Sequence, residues 1–277
     1  MTSDATERHA RSIAALPSAP DNLDTLAARF AGRRAAVFLD YDGTLTPIVE
    51  DAAAATIDDA ARDAIRELAA VCTVAVVSGR DLDDVRGMVG VEGIHYAGSH
   101  GFDILAPDGG RTQKGRGFLL DLDAAEAELR ARIGGVPGAR LERKRFAIAV
   151  HFRQVDPARV EEVKAAVEEV GAVQARLRVT GGKMILELRP DIDWDKGRAL
   201  AWLLDELDLD DPGVVPLYVG DDETDEDAFR ELRGRGIGIV VRGEDDDRPT
   251  LADLALDDPA QAVRFLRDLR GLLEDSG

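Results

Sequence analysis

The sequence is short of cysteine: Cys72 is the only one in 277 residues. A lone thiol excludes an intrachain disulfide and a cysteine-built metal centre. Lysine is nearly as scarce, five against 30 arginines, an imbalance of the kind that codon bias produces in a GC-rich genome. Basic residues as a class are outnumbered, 35 against 54 acids, for a net charge of −19. That charge excludes a generic nucleic-acid binder, which needs a basic face, and a protein held on anionic lipid by charge alone. No apolar run approaches the ~18–20 residues of a membrane-spanning helix. The opening MTSDATERHARSIAALPSAP has no apolar stretch of the secretory-signal kind, so the expected compartment is the cytoplasm. The acidity suits solubility, and a site for an anion must be locally positive against it. Three of the five lysines, Lys144, Lys183 and Lys196, fall in the motifs described below.

What is present is enough apolar sequence, 45%, to fill one large or two modest domains. AAVFLD (35–40), TVAVVS (73–78), VVPLYVG (214–220) and GIGIVV (236–241) are short apolar runs of the kind buried on both faces of a sheet. Residues 57–70 place Ile57, Ala61, Ile65 and Leu68 at helical spacing, with Thr56 or Asp58 as N-cap. Strand, helix and strand in succession make a βαβ unit and a parallel sheet. A further helix is expected at 225–234, and a packing helix at 257–269. The first 20 residues read as a loose tail or a first helix.

The middle of the chain has a different pattern. Helical periodicity is expected over 118–133 and 157–171, the second helix ending at Gly171. RFAIAVHFR (145–153) alternates, with Phe146, Ile148, Val150 and Phe152 on one face. RLRVT (176–180) and KMILELR (183–189) are joined through Gly181-Gly182, which favours a hairpin. Alternation of this kind implies an antiparallel sheet with one wet face. The expected fold is therefore α/β: a Rossmann-like parallel-sheet core at 1–108 and 191–277, with an inserted α+β domain at 109–190.

Four motifs fall at strand ends or helix starts. DYDGTLTPI (40–48) follows a buried strand, with Asp40 and Asp42 two apart and Gly43 allowing a tight turn. Carboxylates this close call for a cation or a shared proton. VVSGRD (76–81) places Ser78 where a second strand ends, as a phosphoryl-oxygen partner or a helix cap. Lys196 in DWDKGRAL opens a helix, against the helix dipole, so it either pairs with negative charge or sits exposed. GDDETDEDAF (220–229) puts six acids within 220–227, with Asp221 and Asp222 at another strand end. An oxygen-only set of this kind points to Mg²⁺ rather than Zn²⁺, and ligands of open α/β sheets bind at the carboxyl ends of the strands.

Taken in order, DxDGTLTPI, SGR, Lys and GDDxTDE resemble the haloacid-dehalogenase superfamily of phosphotransferases. The 118-position span from Ser78 to Lys196 leaves room for an insert placed like the C2-type cap of its sugar phosphatases. GSHGFD (98–103), ERKRFAIAVHFR (142–153) and GGKMILELRP (181–190) narrow the resemblance to the trehalose-6-phosphate phosphatases. That family's ExK…HYR pattern is met by Glu142, Lys144, His151 and Arg153, with Phe152 in place of the usual Tyr. GKxxxExRP is met by Lys183, Glu187, Arg189 and Pro190.

The resemblance implies a Mg²⁺-dependent phosphatase acting on trehalose 6-phosphate. It implies Asp40 as nucleophile and Asp42 as general acid and base. It implies Ser78 and Lys196 on the phosphoryl oxygens. The metal would be held by the Asp40 carboxylate, the Asp42 carbonyl and Asp221, with Asp222 or Asp225 orienting its waters. Arg80, His100, Glu142, Lys144, Arg153, Lys183 and Glu187 are the expected substrate contacts, although His100 suits a structural hydrogen bond equally well. Strict alternation puts Lys144 and Arg153 on opposite faces, so both reach sugar only if a bulge or turn intervenes. The implied partners are a small sugar phosphate and, functionally, trehalose-6-phosphate synthase, with no nucleic acid and no membrane. Two alternatives stay open. One is the same chemistry on sucrose phosphate or a glycosyl-phosphoglycerate. The other is a non-enzymatic receiver-like module that accepts phosphate on Asp.

Overall fold

The computed structural model describes residues 10–49, 55–182, 184–243 and 246–275. They form two compact units, one from the described residues of 1–111 and 194–277, the other from 112–193. In chain order the first stretch contains β1 (Arg11–Ser12), α1 (Leu23–Phe30), β2 (Arg34–Leu39), α2 (Asp59–Ala69), β3 (Thr73–Val77), α3 (Leu82–Val89), β4 (His95–Gly98), β5 (Asp103–Leu105) and β6 (Arg111–Gln113). The middle contains α4 (Leu119–Ile133), β7 (Arg140–Lys144), β8 (Ala147–His151), α5 (Val160–Val173), β9 (Leu177–Gly182) and β10 (Ile185–Pro190). The last stretch contains α6 (Lys196–Glu206), β11 (Val214–Gly220), α7 (Asp225–Glu231), β12 (Ile237–Val241), β13 (Pro249–Thr250), β14 (Leu254–Leu256) and α8 (Pro259–Asp275). Among the described residues no helix is long and apolar enough to cross a membrane.

The first unit is built on an eight-stranded sheet in the order β14-β12-β11-β2-β3-β4-β5-β6. Strands β14 to β4 of that order pair in parallel, and β4 pairs antiparallel with β5. Alternate residues of β2 feed two apolar layers. Val37 and Leu39 join Phe30, Ile65, Leu68, Phe265 and Leu266 on one face, and Ala36 and Phe38 join Leu200, Leu203, Leu204 and Phe229 on the other. Burial on both faces is why the run is apolar throughout instead of alternating. The chain leaves β2 through β3 and β4, then returns on the opposite side of β2 as β11. This reversal opens a crevice at the carboxyl ends of β2 and β11, the usual ligand position of an open α/β sheet.

Ahead of α1 the described chain is neither a loose tail nor an α-helix; it holds only two three-residue 3-10 turns, at Ile13–Ala15 and Pro20–Asn22. β1 pairs antiparallel with β13, and Ile13 and Ala19 are fully buried. The N–H groups of Ile13 and Ala19 donate to the carbonyls of Arg248 and Ala255 at 3.1 and 2.8 Å.

The second unit is a four-stranded antiparallel sheet, β7-β8-β10-β9, with α4 and α5 packed on one face through Leu122, Leu129, Val163, Val167, Ile148, Val150 and Leu188. Three expectations are corrected here. Gly171 does not end its helix: α5 runs on to Val173, and a Cβ on Gly171 would lie 2.5 Å from Val179 Cγ2, so the glycine serves close packing of α5 on β9. Gly181 and Gly182 belong to β9, and Gly182 pairs with Ile185, so these glycines are not the turn of the hairpin; Met184, which follows them, takes φ +63°. The run 145–153 is not one strand. Arg145 and Phe146 form a turn between β7 and β8, and the charged segment RLERK is itself a strand.

Candidate active site

β2 delivers Asp40 to the crevice. Its backbone stays in the ladder, N–H to the Val219 carbonyl at 2.9 Å, and its side chain is buried. The GTLT turn follows: Gly43 N–H donates to the Thr46 carbonyl at 2.8 Å, and Thr44 and Thr46 are buried. Gly43 takes φ +78°, and a Cβ there would fall 2.0 Å from Asp221 Oδ2. Glycine is required for the conformation and also for the approach of the β11 end.

Lys196 opens α6 and is almost fully buried; the side chain of its N-cap, Asp195, accepts from Arg198 N. Its Nζ donates to Asp40 Oδ1 and to Asp225 Oδ1, both at 2.7 Å, and lies 3.9 Å from Asp222 Oδ1. These carboxylates offset the unfavourable position of a cation in a first helical turn. Asp225 is fully buried and accepts from Tyr218 Oη at 2.7 Å and from the backbone N–H groups of Asp221 and Asp222 at 3.0 Å each. Thr44 Oγ1 donates to Asp221 Oδ1 at 3.3 Å.

Asp40, Asp221 and Asp225 each bring a carboxylate oxygen within 4.8 Å of the others. One lysine does not neutralise this set. Burial pushes the Asp40 carboxyl well above the usual carboxylate range, against the pull of Lys196. Burial, with Asp225 and Asp222 adding to it, raises Asp221 to about 7. Burial also raises Asp225. Such carboxylates are short of positive charge, and their all-oxygen donors suit a hard divalent cation. Asp222 differs. Burial acts to raise it, but Lys196 and hydrogen bonds from Thr224 outweigh that and hold it at about 2. Its Oδ1 caps Thr224, accepting from both the N–H and the hydroxyl, so Asp225 rather than Asp222 completes the carboxylate cluster.

Asp42 is not one of these three carboxylates. Arg80 Nε and Nη2 donate to its two oxygens at 2.7 and 2.5 Å, a bidentate fork, and the guanidinium lies 5.4 Å from the centroid of the Tyr41 ring. Ser78 is buried at the end of β3, where its Oγ accepts from Arg80 N–H at 3.1 Å. His100 takes φ +55°; its N–H donates to the Ser78 carbonyl at 2.8 Å, and its ring covers Gly79, where a Cβ would lie 2.7 Å from Cε1. The first unit thus gathers Asp40, Asp42, Ser78, Arg80, His100, Lys196, Asp221 and Asp222 at or beside the strand ends.

The other expected residues lie in the second unit. The Arg145–Phe146 turn restores the parity that strict alternation would break, so Lys144 shares a face with Ala147, Ala149 and His151. Register places Glu142 opposite Ala149 and Ala149 opposite Glu187. Glu142, Lys144, His151 and Glu187 therefore stand on the sheet face away from the helices, over the small side chains of Ala147 and Ala149. Lys144 Nζ donates to Glu187 Oε1 at 2.7 Å, and His151 Nε2 lies 2.8 Å from Glu142 Oε2. The His151 hydrogen bond holds the Glu142 carboxyl below its ordinary value. Arg153 lies past the end of β8, exposed, beside a hollow with Gly138, Asp156 and Arg159, and does not join this group. Lys183 lies outside the described residues.

Three contributors carried no readable signal. Tyr218 sits in an apolar strand and passes for core. Thr44 passes for part of a turn, and Arg248, which donates to the Asp221 carbonyl at 2.6 Å, passes for a solvated residue of an acidic loop.

Known proteins share this arrangement of the chain. A trehalose-phosphate phosphatase of Mycolicibacterium paratuberculosis is 48% identical over 95% of this chain and 69% of its own length. A solved trehalose-6-phosphate phosphatase related protein superposes with a TM-score of 0.74 at 25% identity, over 87% of this chain and 99% of its own. The trehalose-6-phosphate phosphatase of Aspergillus fumigatus gives 0.66 at 26% identity, over 95% of this chain and 100% of its own. The trehalose-phosphatase family model matches residues 38–260, from the last two residues of β2 to the first turn of α8 and through the whole of the inserted unit, and the chain belongs to that family of phosphatases.

Proposed function

We propose that the chain hydrolyses trehalose 6-phosphate to trehalose and phosphate, with Mg²⁺, through an aspartyl phosphate on Asp40. The observation that carries this reading is the Asp40 carboxylate, held by Lys196 and set against Asp221 and Asp225 at the sheet's switch point. Asp40, Asp221 and Asp225 would hold Mg²⁺, which when bound supplies positive charge for the carboxylates and for the phosphoryl oxygens.

Asp40 attacks phosphorus in line; the new P–O bond forms as the bond to the sugar oxygen breaks. Asp42 gives its proton to the departing sugar oxygen. It then takes one from the water that attacks the aspartyl phosphate and frees Asp40. In the free protein Asp42 is engaged by Arg80, so the incoming phosphate dianion competes for that arginine and frees the carboxylate to take up from solvent the proton it delivers. Lys196 and Ser78 bind non-bridging oxygens and spread the charge of a loose transition state. Glu142, Lys144, His151 and Glu187 offer acceptors and donors to the sugar hydroxyls, with the two alanines leaving room above the sheet. This reading places the enzyme in the cytoplasm, supplied by a trehalose-6-phosphate synthase.

Phosphate release from trehalose 6-phosphate, measured beside sucrose phosphate and a glycosyl-phosphoglycerate, tests the substrate. Activity is expected to vanish in chelator, to return with Mg²⁺, and to be lost in Asp40→Asn. More than about a tenth of wild-type kcat in that variant rules out the covalent route, because loss of a nucleophile costs orders of magnitude.

A further inference from the structure

Asp221 is held through its backbone as well as its side chain. The Asp221–Asp222 peptide sends its N–H to Asp225 Oδ2 at 3.0 Å, and its carbonyl accepts from Arg248 Nη2 at 2.6 Å. In a trans peptide these groups point in opposite directions, so the plane cannot turn without breaking both bonds.

Arg248 is itself fixed from several sides. Nη1 donates to Glu226 Oε1 at 2.7 Å, and Nε lies 3.2 Å from Asp246 Oδ2. The second oxygen of Glu226 accepts from Leu251 N–H at 2.8 Å. The Arg248 carbonyl accepts from Ile13 N–H at 3.1 Å, beside the β1–β13 pair. The arginine and Glu226 are mostly buried, with side chains 19% and 15% exposed. Planar, forked donors meet a carbonyl and a carboxylate at once, which a point charge does less well.

We propose that Arg248 is a positioning residue for the cation-binding carboxylates. By pinning the Asp221–Asp222 peptide it keeps the Asp221 side chain among the carboxylates and keeps the Asp222 N–H on Asp225. The inference rests on the reading that these carboxylates hold Mg²⁺. Arg248 reaches Asp221 through its backbone carbonyl, and Glu226 and Asp246 offset its charge, so its effect is geometric.

The test uses the full chain, with MgCl₂ titrated against two readouts: phosphate release and the Mg²⁺-linked rise in Tm. Outer partners of a metal ligand typically cost 10–100-fold in metal affinity when removed. Arg248→Ala should shift the Mg²⁺ midpoint upward by about tenfold or more in both readouts, with kcat at saturating Mg²⁺ and KM for trehalose 6-phosphate near wild type. Arg248→Lys keeps the charge without the fork and should fall between; it carries the test if the alanine variant does not fold. Arg242→Ala, which cuts a similar bond to the Leu16 carbonyl, should leave the midpoint unchanged. Unshifted midpoints in the Arg248 variants, or an equal shift in Arg242→Ala, overturn the proposal. A wild type without any Mg²⁺ response instead overturns the Mg²⁺ reading, and this inference with it.

Discussion

Lys196→Met separates the structural and chemical roles of the buried ammonium. Methionine keeps an unbranched apolar stem but removes the charge that lies 2.7 Å from each of two buried carboxylates. Taking away one partner of a buried ion pair costs about 3–5 kcal/mol, because the other charge stays behind. For a chain of this size about 2–4 °C of Tm follows each kcal/mol, so the variant should melt on the order of 10 °C below wild type in chelator. Mg²⁺ restores positive charge to the same carboxylates, and without the competing ammonium they bind it more tightly. The gap in Tm should therefore narrow in saturating Mg²⁺. Turnover should still fall by about 10²–10³-fold, as for loss of one oxyanion donor. The fall should be similar for trehalose 6-phosphate and a small aryl phosphate, since the phosphoryl group is common to both. Differential scanning fluorimetry in chelator and in Mg²⁺, with steady-state phosphate release, reads all three effects. A variant that melts with wild type in chelator, or a gap that widens with Mg²⁺, refutes the argument that Lys196 balances these carboxylates.

Gly43→Ala should weaken Mg²⁺ binding more than stability. The left-handed φ costs about 1 kcal/mol with a side chain, whereas the added methyl displaces Asp221; an unchanged Mg²⁺ midpoint for activity counts against this contact. Glu187→Ala removes the acceptor of Lys144 and should lower kcat/KM for trehalose 6-phosphate by roughly 10²-fold while sparing an aryl phosphate; equal losses on both substrates mean a role in folding instead. In the metal-free protein Asp221 is raised to about 7. Its stabilising contribution is therefore full at acid pH, below its unfolded pKa, and is lost as pH rises through about 7. Cation binding must expel that proton, so calorimetry at pH 7 in two buffers of different ionisation enthalpy should show proton release with Mg²⁺, and Asp221→Asn should release less. Identical heats in both buffers contradict the assignment.

The core strands legible in the sequence are those where burial on both faces forces an unbroken apolar run: β2, β3, β11 and β12. Periodicity also made α2, α4, α5, α7, α8 and the β9–β10 pair legible, whereas β4, β7 and β14 are hidden for physical reasons. HYAG of β4 is broken by a glycine and a histidine, and β14 is only three residues long. RLERK of β7 looks like a solvated turn because its outward face is charged. The site was legible where a motif fixes both residue type and strand end, as with Asp40, Ser78 and Asp221. The division of labour among Asp221, Asp222 and Asp225 was not, because it depends on which carboxylate turns back beneath the strand and which caps the next turn. The face taken by Lys144 was left open for a similar reason: a two-residue turn changes parity, and no pattern of hydrophobicity records it.

The strand pair at the start of the chain and the long helix at its end bear on where this protein can be cut. The family match covers 38–260, but a fragment with those limits would lose most of β2, the central strand, and nearly all of α8. Leu26, Phe30, Phe265, Leu266 and Leu269, each at most 2% exposed, would go as well. Each such side chain contributes about 1.5–3 kcal/mol by burial, so the five together are worth on the order of 10 kcal/mol. The whole stability of a domain is only about 5–15 kcal/mol. The stretch that reveals ancestry is thus shorter than the stretch that folds, and a soluble fragment for crystallisation or display has to begin before Arg11 and run through α8.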